Sequence, residues 1–238
     1  MLSLNHLNIP DELLDTEIYR IMPVHRLLEI FDINKLTLVK PESWDDPFEN
    51  LIMKSKGILA EVAVFDFASF RESVYGTCWT LYKETDAMWR IYSPDKQGAK
   101  VKTTIKKLLD SLSCKVRENP EMHCFIGKVE YLNQKNLVEK LTRLEFTRNG
   151  RSIAESLMYK REEFKHEKEV RLIYTGKAGD IFQFDIDPLE LFDEIVFDPR
   201  INKLLFSAYK LALRERKYGK SIRQSVLYRI PKGLINKS

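Results

Sequence analysis

The sequence is poor in the residues that most often announce a site. Its three cysteines, Cys78, Cys114 and Cys124, are an odd number without metal-ligand spacing, which favours reduced thiols and a cytoplasmic setting over a disulfide framework. Its four histidines, His6, His25, His123 and His166, are scattered, with neither the i, i+4 pair nor the Cys-x-x-Cys companion of a zinc site, so no metal is expected. Glycine is scarce, at nine residues, and forms neither G-x-x-x-x-G-K-[ST] nor G-x-G-x-x-G, so the usual phosphate cradles are missing. A serine-hydrolase elbow, G-x-S-x-G, is missing too. No apolar run approaches the length of a membrane span and no basic-then-apolar leader opens the chain, so no membrane partner is expected.

What is present is an ordinary globular composition. The 238 residues are 44% apolar and 31% charged, enough for one large α/β domain or two small ones, and no low-complexity tract suggests disorder. The net charge of +4 is unevenly placed: residues 96–107, KQGAKVKTTIKK, and 210–223, KLALRERKYGKSIR, are basic, whereas 179–199 is acidic. Such runs either attract a phosphate-bearing ligand or nucleic acid, or are solvated helix faces.

The pattern predicts a strand over 16–23, a helix over 24–34 with Val24, Leu27, Leu28 and Phe31 at helical spacing, and a strand over 35–41. A polar loop, ESWDDPFEN (42–50), follows; Asp46 precedes proline and is biased to extended backbone. Further strands are predicted at 74–82, 122–132, 180–186, 192–199 and 222–230. Helices are predicted at 86–93, 134–146 and 201–217, with a strand or turn running into a helix over 99–112. Strands and helices mix without a linker, which predicts one α/β (α+β) domain over 1–230, a mixed sheet with flanking helices, and a loose tail at 231–238.

One strand is unusual. HEKEVRLIY (166–174) carries Glu167, Glu169 and Arg171 at every second position, against Val170, Leu172 and Tyr174 on the other face. Alternation leaves two readings open: a solvated outer face, or the wall of a polar cleft. Polar residues among aromatics recur elsewhere: Tyr19 and Arg20; Trp44, Asp45, Asp46, Phe48 and Glu49; Cys78, Trp79, Thr80, Met88, Trp89 and Tyr92. All three tryptophans fall in this set, although aromatics are expected in any core.

The segments WDDPFEN, CWTLYKETDAMWRIYSPDKQG and EFKHEKEVRLIY, after the Tyr-Arg strand, resemble the successive motifs of domain-of-unknown-function family 2971, found in bacteria and phages. That family shows N-D-P-F-E, then C-F-S, M-W-x-x-Y and a glycine, then E-x-E-x-R; DEIVFDPRI and the closing SVLY also fit its later half. Asp45 stands where asparagine is common, and Trp79-Thr80 where Phe-Ser is common. The order of motifs is also similar to the ADP-ribosyltransferase fold, a fold-level analogy. That resemblance implies NAD as cosubstrate and Glu169 as the catalytic carboxylate, with Glu167 orienting or deprotonating the acceptor. It implies Tyr19, Arg20, Trp79, Thr80, Trp89, Tyr92 and Arg171 as the residues that hold the dinucleotide. The chemistry is coherent, because cleavage of the nicotinamide–ribose bond builds positive charge that a carboxylate stabilises.

Three functions follow as expectations. The first is an ADP-ribosyltransferase-like enzyme, a toxin or anti-phage effector, transferring ADP-ribose to nucleic acid or protein. The second is a non-catalytic nucleic-acid or protein interaction module using the basic runs. The third is a hydrolase or nuclease built on Asp45, Asp46, Glu49, Glu167 and Glu169 around a divalent ion.

Overall fold

The computed structural model describes residues 5–44, 73–116, 123–144 and 150–230. Asp45, Asp46, Phe48 and Glu49 of the polar loop lie outside the described residues. In chain order the elements are β1 (His6–Leu7), β2 (Glu17–Pro23), α1 (Val24–Ile33), β3 (Lys35–Val39), β4 (Val74–Thr80), α2 (Asp86–Tyr92) and β5 (Gly98–Thr104). Then come α3 (Ile105–Val116), β6 (His123–Lys128), β7 (Glu130–Leu132), α4 (Gln134–Thr142), α5 (Arg151–Ser156) and β8 (Tyr159–Arg161). The chain closes with β9 (Glu169–Thr175), β10 (Ile181–Asp185), α6 (Pro188–Leu191), β11 (Glu194–Phe197), α7 (Lys203–Glu215) and β12 (Ser221–Gln224).

The local signals act as expected. Helix α1 buries Val24, Leu27 and Phe31 on one stripe and stops at Asn34, whose left-handed backbone (φ 52°) breaks the helical repeat. Helix α2 is capped by Thr85, whose hydroxyl accepts from the Met88 N–H at 3.2 Å, and α7 by Asn202, which accepts from the Leu204 N–H at 2.8 Å. Strands and helices make a mixed α/β architecture with parallel and antiparallel pairings and flanking helices, as the sequence predicts. Among the described residues no helix is long and apolar enough to cross a membrane.

The chain forms two compact units of interleaved segments. The first holds the described residues of Met1–Ile18, Lys35–Tyr82 and Thr104–Ile186. Its strands run in the order β1-β6-β9-β4-β3-β10, with β1 parallel to β6 and the other pairings antiparallel. One face packs Val74, Phe125 and Ile173 against Ile153, Ala154, Leu157 and Met158. On the other face α3 meets β6, where Ser113 Oγ lies 3.4 Å from Cys124 Sγ.

The second unit holds the described residues of Tyr19–Asn34, Lys83–Thr103 and Asp187–Ser238. Its strands run β2-β5-β11-β12, with β5 antiparallel and β12 parallel to β11. Phe31 meets Tyr218 edge-on at 5.5 Å, and Phe197 stacks on Tyr209 at 6.0 Å. Strand β12 ends at Gln224, well short of the predicted 230, because its partner β11 ends at Phe197, two residues before Pro199, and offers no ladder beyond.

Candidate functional site

Strand β9 lies between β6 and β4, so it is hydrogen-bonded on both edges and covered on both faces, and all seven of its residues are buried. This decides the question left open by HEKEVRLIY: the charged positions do not form a solvated face. Glu169 is 5% exposed and Arg171 is fully buried. The expected period also needs correcting at its start. Glu167 is not on the strand; it ends a 3-10 turn, Glu162–Glu167, and Lys168 then takes a left-handed backbone (φ 42°) that interrupts the alternation.

The charges are nevertheless gathered. Arg171 Nε donates to Glu169 Oε2 at 2.6 Å, and Arg171 Nη1 donates to the Leu157 carbonyl at 2.7 Å. Lys160 Nζ donates to Glu169 Oε1 at 2.7 Å and to Glu167 Oε2 at 2.5 Å, so one ammonium bridges the two carboxyl groups. Lys160 is itself 7% exposed, with its Nζ 4.5 Å from the Phe164 ring centroid. The Glu169 N–H donates to the Tyr131 hydroxyl at 2.8 Å.

Backbone contacts fix the turn that carries Glu167. Thr80 Oγ donates to the Glu167 carbonyl at 2.6 Å and accepts from the Tyr82 N–H at 3.0 Å. The Leu81 N–H donates to the Lys168 carbonyl, and the Val129 N–H to the Glu169 carbonyl, both at 3.0 Å. Thr80 stands opposite Glu169 in the β4–β9 ladder, so the polar end of β4 and the polar start of β9 coincide.

Burial and partnership push the two carboxyl groups apart. Glu167 is raised to about 8, first by burial and then by its hydrogen bond with Glu169, against the pull of Lys160. Burial also acts to raise Glu169, but the Arg171 charge, the bonds from Glu167 and Arg171, and Lys160 together hold it below its ordinary value. The two carboxyl groups are therefore pushed in opposite directions, Glu167 up and Glu169 down, a division that suits acid–base work.

The other predicted residues of this unit are structural in their immediate contacts. Trp79 is buried, and its indole N–H has no hydrogen-bond partner among the described residues. Trp44 packs half-buried on the core cluster, with Arg171 over its ring. In the second unit Tyr19 is buried beneath Lys100, whose Nζ is 5.2 Å from the ring centroid, and Arg20 is half-buried on β2. Trp89 is fully buried, its N–H donating to Glu84 Oε1 at 2.7 Å, whereas Tyr92 is exposed at the end of α2.

Of the basic runs, several members are held by carboxylates or the core. Arg216 pairs with Asp32 at 2.7 Å and Arg223 with Glu194 at 2.8 Å, and Lys100 is buried with its amine on the Lys83 carbonyl. Burial lowers Lys100 to about 8.

Lys160 and Tyr131 were not expected from the sequence. They reach the cluster because the three-residue strands β7 and β8 pair in parallel, with Tyr131 opposite Lys160. Strands that short leave no periodic signal.

The model of the family described as "Protein of unknown function (DUF2971)" matches residues 88–172, from Met88 in α2 to Leu172 in β9. No curated protein matches the chain at a significant level. Among solved structures, DarT of Thermus sp. 2.9 in complex with carba-NAD+ is similar at 12% identity and a TM-score of 0.41, over 91% of this chain and 97% of that one. The same protein in complex with NAD+ is similar at 11% identity and a TM-score of 0.41, over 92% and 98%. In complex with ADP-ribosylated ssDNA it is similar at 12% identity and a TM-score of 0.41, over 91% and 95%.

Proposed function

We propose that Glu167 and Glu169 are the catalytic pair of an ADP-ribosyltransferase-like enzyme that cleaves the nicotinamide–ribose bond of NAD and transfers ADP-ribose to nucleic acid or protein, as a toxin or anti-phage effector would. The observation that supports this most is the bridging of the two carboxyl groups by Lys160, with Arg171 holding Glu169 ionised in a buried setting. An ionised carboxylate of fixed position stabilises the positive charge that grows on the ribose as nicotinamide leaves. Glu167, the more exposed of the two, takes the proton of the acceptor when it is itself ionised.

The remaining roles follow the resemblance in motif order. Trp79, Thr80 and Arg171 support the carboxylate side, while Tyr19, Arg20, Trp89 and Tyr92 carry dinucleotide contacts by resemblance alone. An arginine such as Arg20 suits phosphate oxygens because its planar fork can bind two at once.

A second reading, a non-catalytic interaction module, draws on α7. There Leu204 and Leu211 are 81% and 60% exposed on the same side of the helix, flanked by Lys203, Lys210 and Arg214. Measuring nicotinamide release and dinucleotide binding separates the two. The enzyme reading expects release by the wild type and a fall on the order of a hundredfold for Glu169→Gln. Neither release nor binding by the wild type, with protein and nucleic-acid acceptors present, favours the interaction module.

A further inference from the structure

We propose that Tyr131 and Lys160, side by side on the β7–β8 ribbon, are positioning residues of the acidic site: Tyr131 holds the backbone at Glu169, and Lys160 ties the carboxylate of Glu169 to that of Glu167. The catalytic consequence rests on the reading above; the clamp itself rests on geometry. Tyr131 and Lys160 are partners in the parallel β7–β8 register, so their side chains leave the ribbon on one face. The flanking pairs, Glu130 with Tyr159 and Leu132 with Arg161, alternate to the other face, where Leu132 and Tyr159 pack on Leu137 and Leu141 of α4. The ribbon is thus seated on a helix by one face and turned to the carboxyl groups by the other.

The contacts of that second face reach different parts of the site. The Tyr131 hydroxyl accepts from the Glu169 N–H at 2.8 Å, one residue before the β6–β9 ladder begins at Val170, so the phenol supplies the acceptor that a buried N–H needs. Lys160 Nζ donates to Glu169 Oε1 on the strand at 2.7 Å and to Glu167 Oε2 on the turn at 2.5 Å. The ring of Phe164, in the same turn, lies 4.5 Å from Lys160 Nζ and 5.1 Å from the Arg161 guanidinium carbon, so β8 grips the body of the turn as well as its carboxyl group.

Arg171 and Lys160 together balance the two carboxylates, and Lys160 is the cation that joins turn to strand. Charge-assisted bonds of this kind fix the orientation of a carboxylate as well as its charge. Catalysis by a positioned group is sensitive to that orientation, since a displacement of about 1 Å can cost on the order of a hundredfold in rate.

The test has one readout that needs no catalysis and one that does. In the full chain, isotope-labelled at the lysine ammonium nitrogen for NMR, Lys160 should give a resonance protected from rapid exchange with water, assigned by its loss in Lys160→Met. Glu167→Gln and Glu169→Gln should each shift it. A Lys160 ammonium that exchanges like a surface lysine, or that either glutamine variant leaves in place, overturns the clamp. Nicotinamide release from NAD, per folded molecule, should fall on the order of a hundredfold in kcat for Lys160→Met, with KM changed by less than about threefold. Tyr131→Phe, which keeps the ring and removes the acceptor, should lower kcat about tenfold in the same pattern. In a Glu169→Gln background both losses should shrink markedly, because the group they position is gone. Losses that simply multiply in that background mean a general structural role and overturn the positioning. Should Lys160→Met not fold, Tyr131→Phe carries the same cycle and the two glutamine variants still decide the clamp. No release by the wild type removes the enzyme reading and with it the catalytic consequence, and the ammonium resonance then decides the clamp alone.

Discussion

The Arg171 guanidinium lies 4.6 Å from the centroid of the Trp44 ring while its Nε donates to Glu169 at 2.6 Å, so a single buried cation joins the aromatic wall of the first unit to its acidic centre. Replacing it with an apolar side chain leaves Glu169 buried with less than its full complement of positive charge. Arg171→Leu should cost about 3–5 kcal/mol in denaturant unfolding, the range for breaking a buried pair from one side. Arg171→Lys should recover little of this, because an ammonium cannot reproduce the guanidinium's bonds to Glu169 and the Leu157 carbonyl together with the stack. A variant as stable as the wild type would show that the cluster is not held by this cation.

Gly76 lies beneath Trp44. A Cβ built there meets Trp44 Cζ2 at 2.7 Å and Ile173 Cδ1 at 2.8 Å, so the indole and the isoleucine must both give way. Gly76→Ala should cost about 1–3 kcal/mol by overpacking, with a change in tryptophan emission as Trp44 is displaced. Unchanged emission and stability would mean that the indole does not rest on this glycine.

The Glu167 carboxyl gives stability a defined pH dependence. Its folded value, about 8, is above the ordinary 4.5, so between those limits the folded chain binds more protons than the unfolded one. Its contribution is fully present below pH 4.5 and is lost as pH rises through 8. Glu167→Gln, which cannot ionise, should flatten that fall. Glu169, held low, acts oppositely: its contribution is present above the ordinary carboxylate value and is lost at acid pH. Melting temperatures of wild type and Glu167→Gln across this window check the sign.

Lys100 gives the mirror case in the second unit. Only 2% exposed, it is lowered by burial from 10.5 to about 8, so between those values the unfolded chain binds the proton more tightly. Wild-type stability should gain a rising component from pH 8 to 10.5, absent in Lys100→Met. Below pH 8 the methionine variant should be the more stable, because it fills the same space without a buried charge. A less stable variant at pH 7 would show that the bond to the Lys83 carbonyl and the contact with Tyr19 outweigh desolvation.

Much of the secondary structure is legible in the sequence because it depends on short-range rules. The stripe Val24, Leu27 and Phe31 makes α1, and the β-branched and aromatic run at 74–80 makes β4. The short elements were not legible. Strand β1 pairs two residues with β6, and β8 pairs three with β7, so neither has the length to show a period and both exist only because a partner lies alongside. Helix α5, six residues from Arg151 to Ser156, is likewise held by burial of Ile153 and Ala154 rather than by a long amphipathic pattern.

The sequence by itself determined the mixed order of strands and helices, the spacing of Glu169 and Arg171 on one face of β9, and the absence of the common nucleotide cradles. These follow from periodicity and residue identity along the chain. Only the tertiary structure decided that this face is interior, since alternating charge reads the same beside water or beside Leu157 and Trp44. It alone took Glu167 off the strand through the left-handed turn at Lys168, and it alone supplied Lys160 from a strand too short to announce itself. Burial and pairing across long sequence separations depend on what the fold places opposite a residue, and no local pattern carries that information.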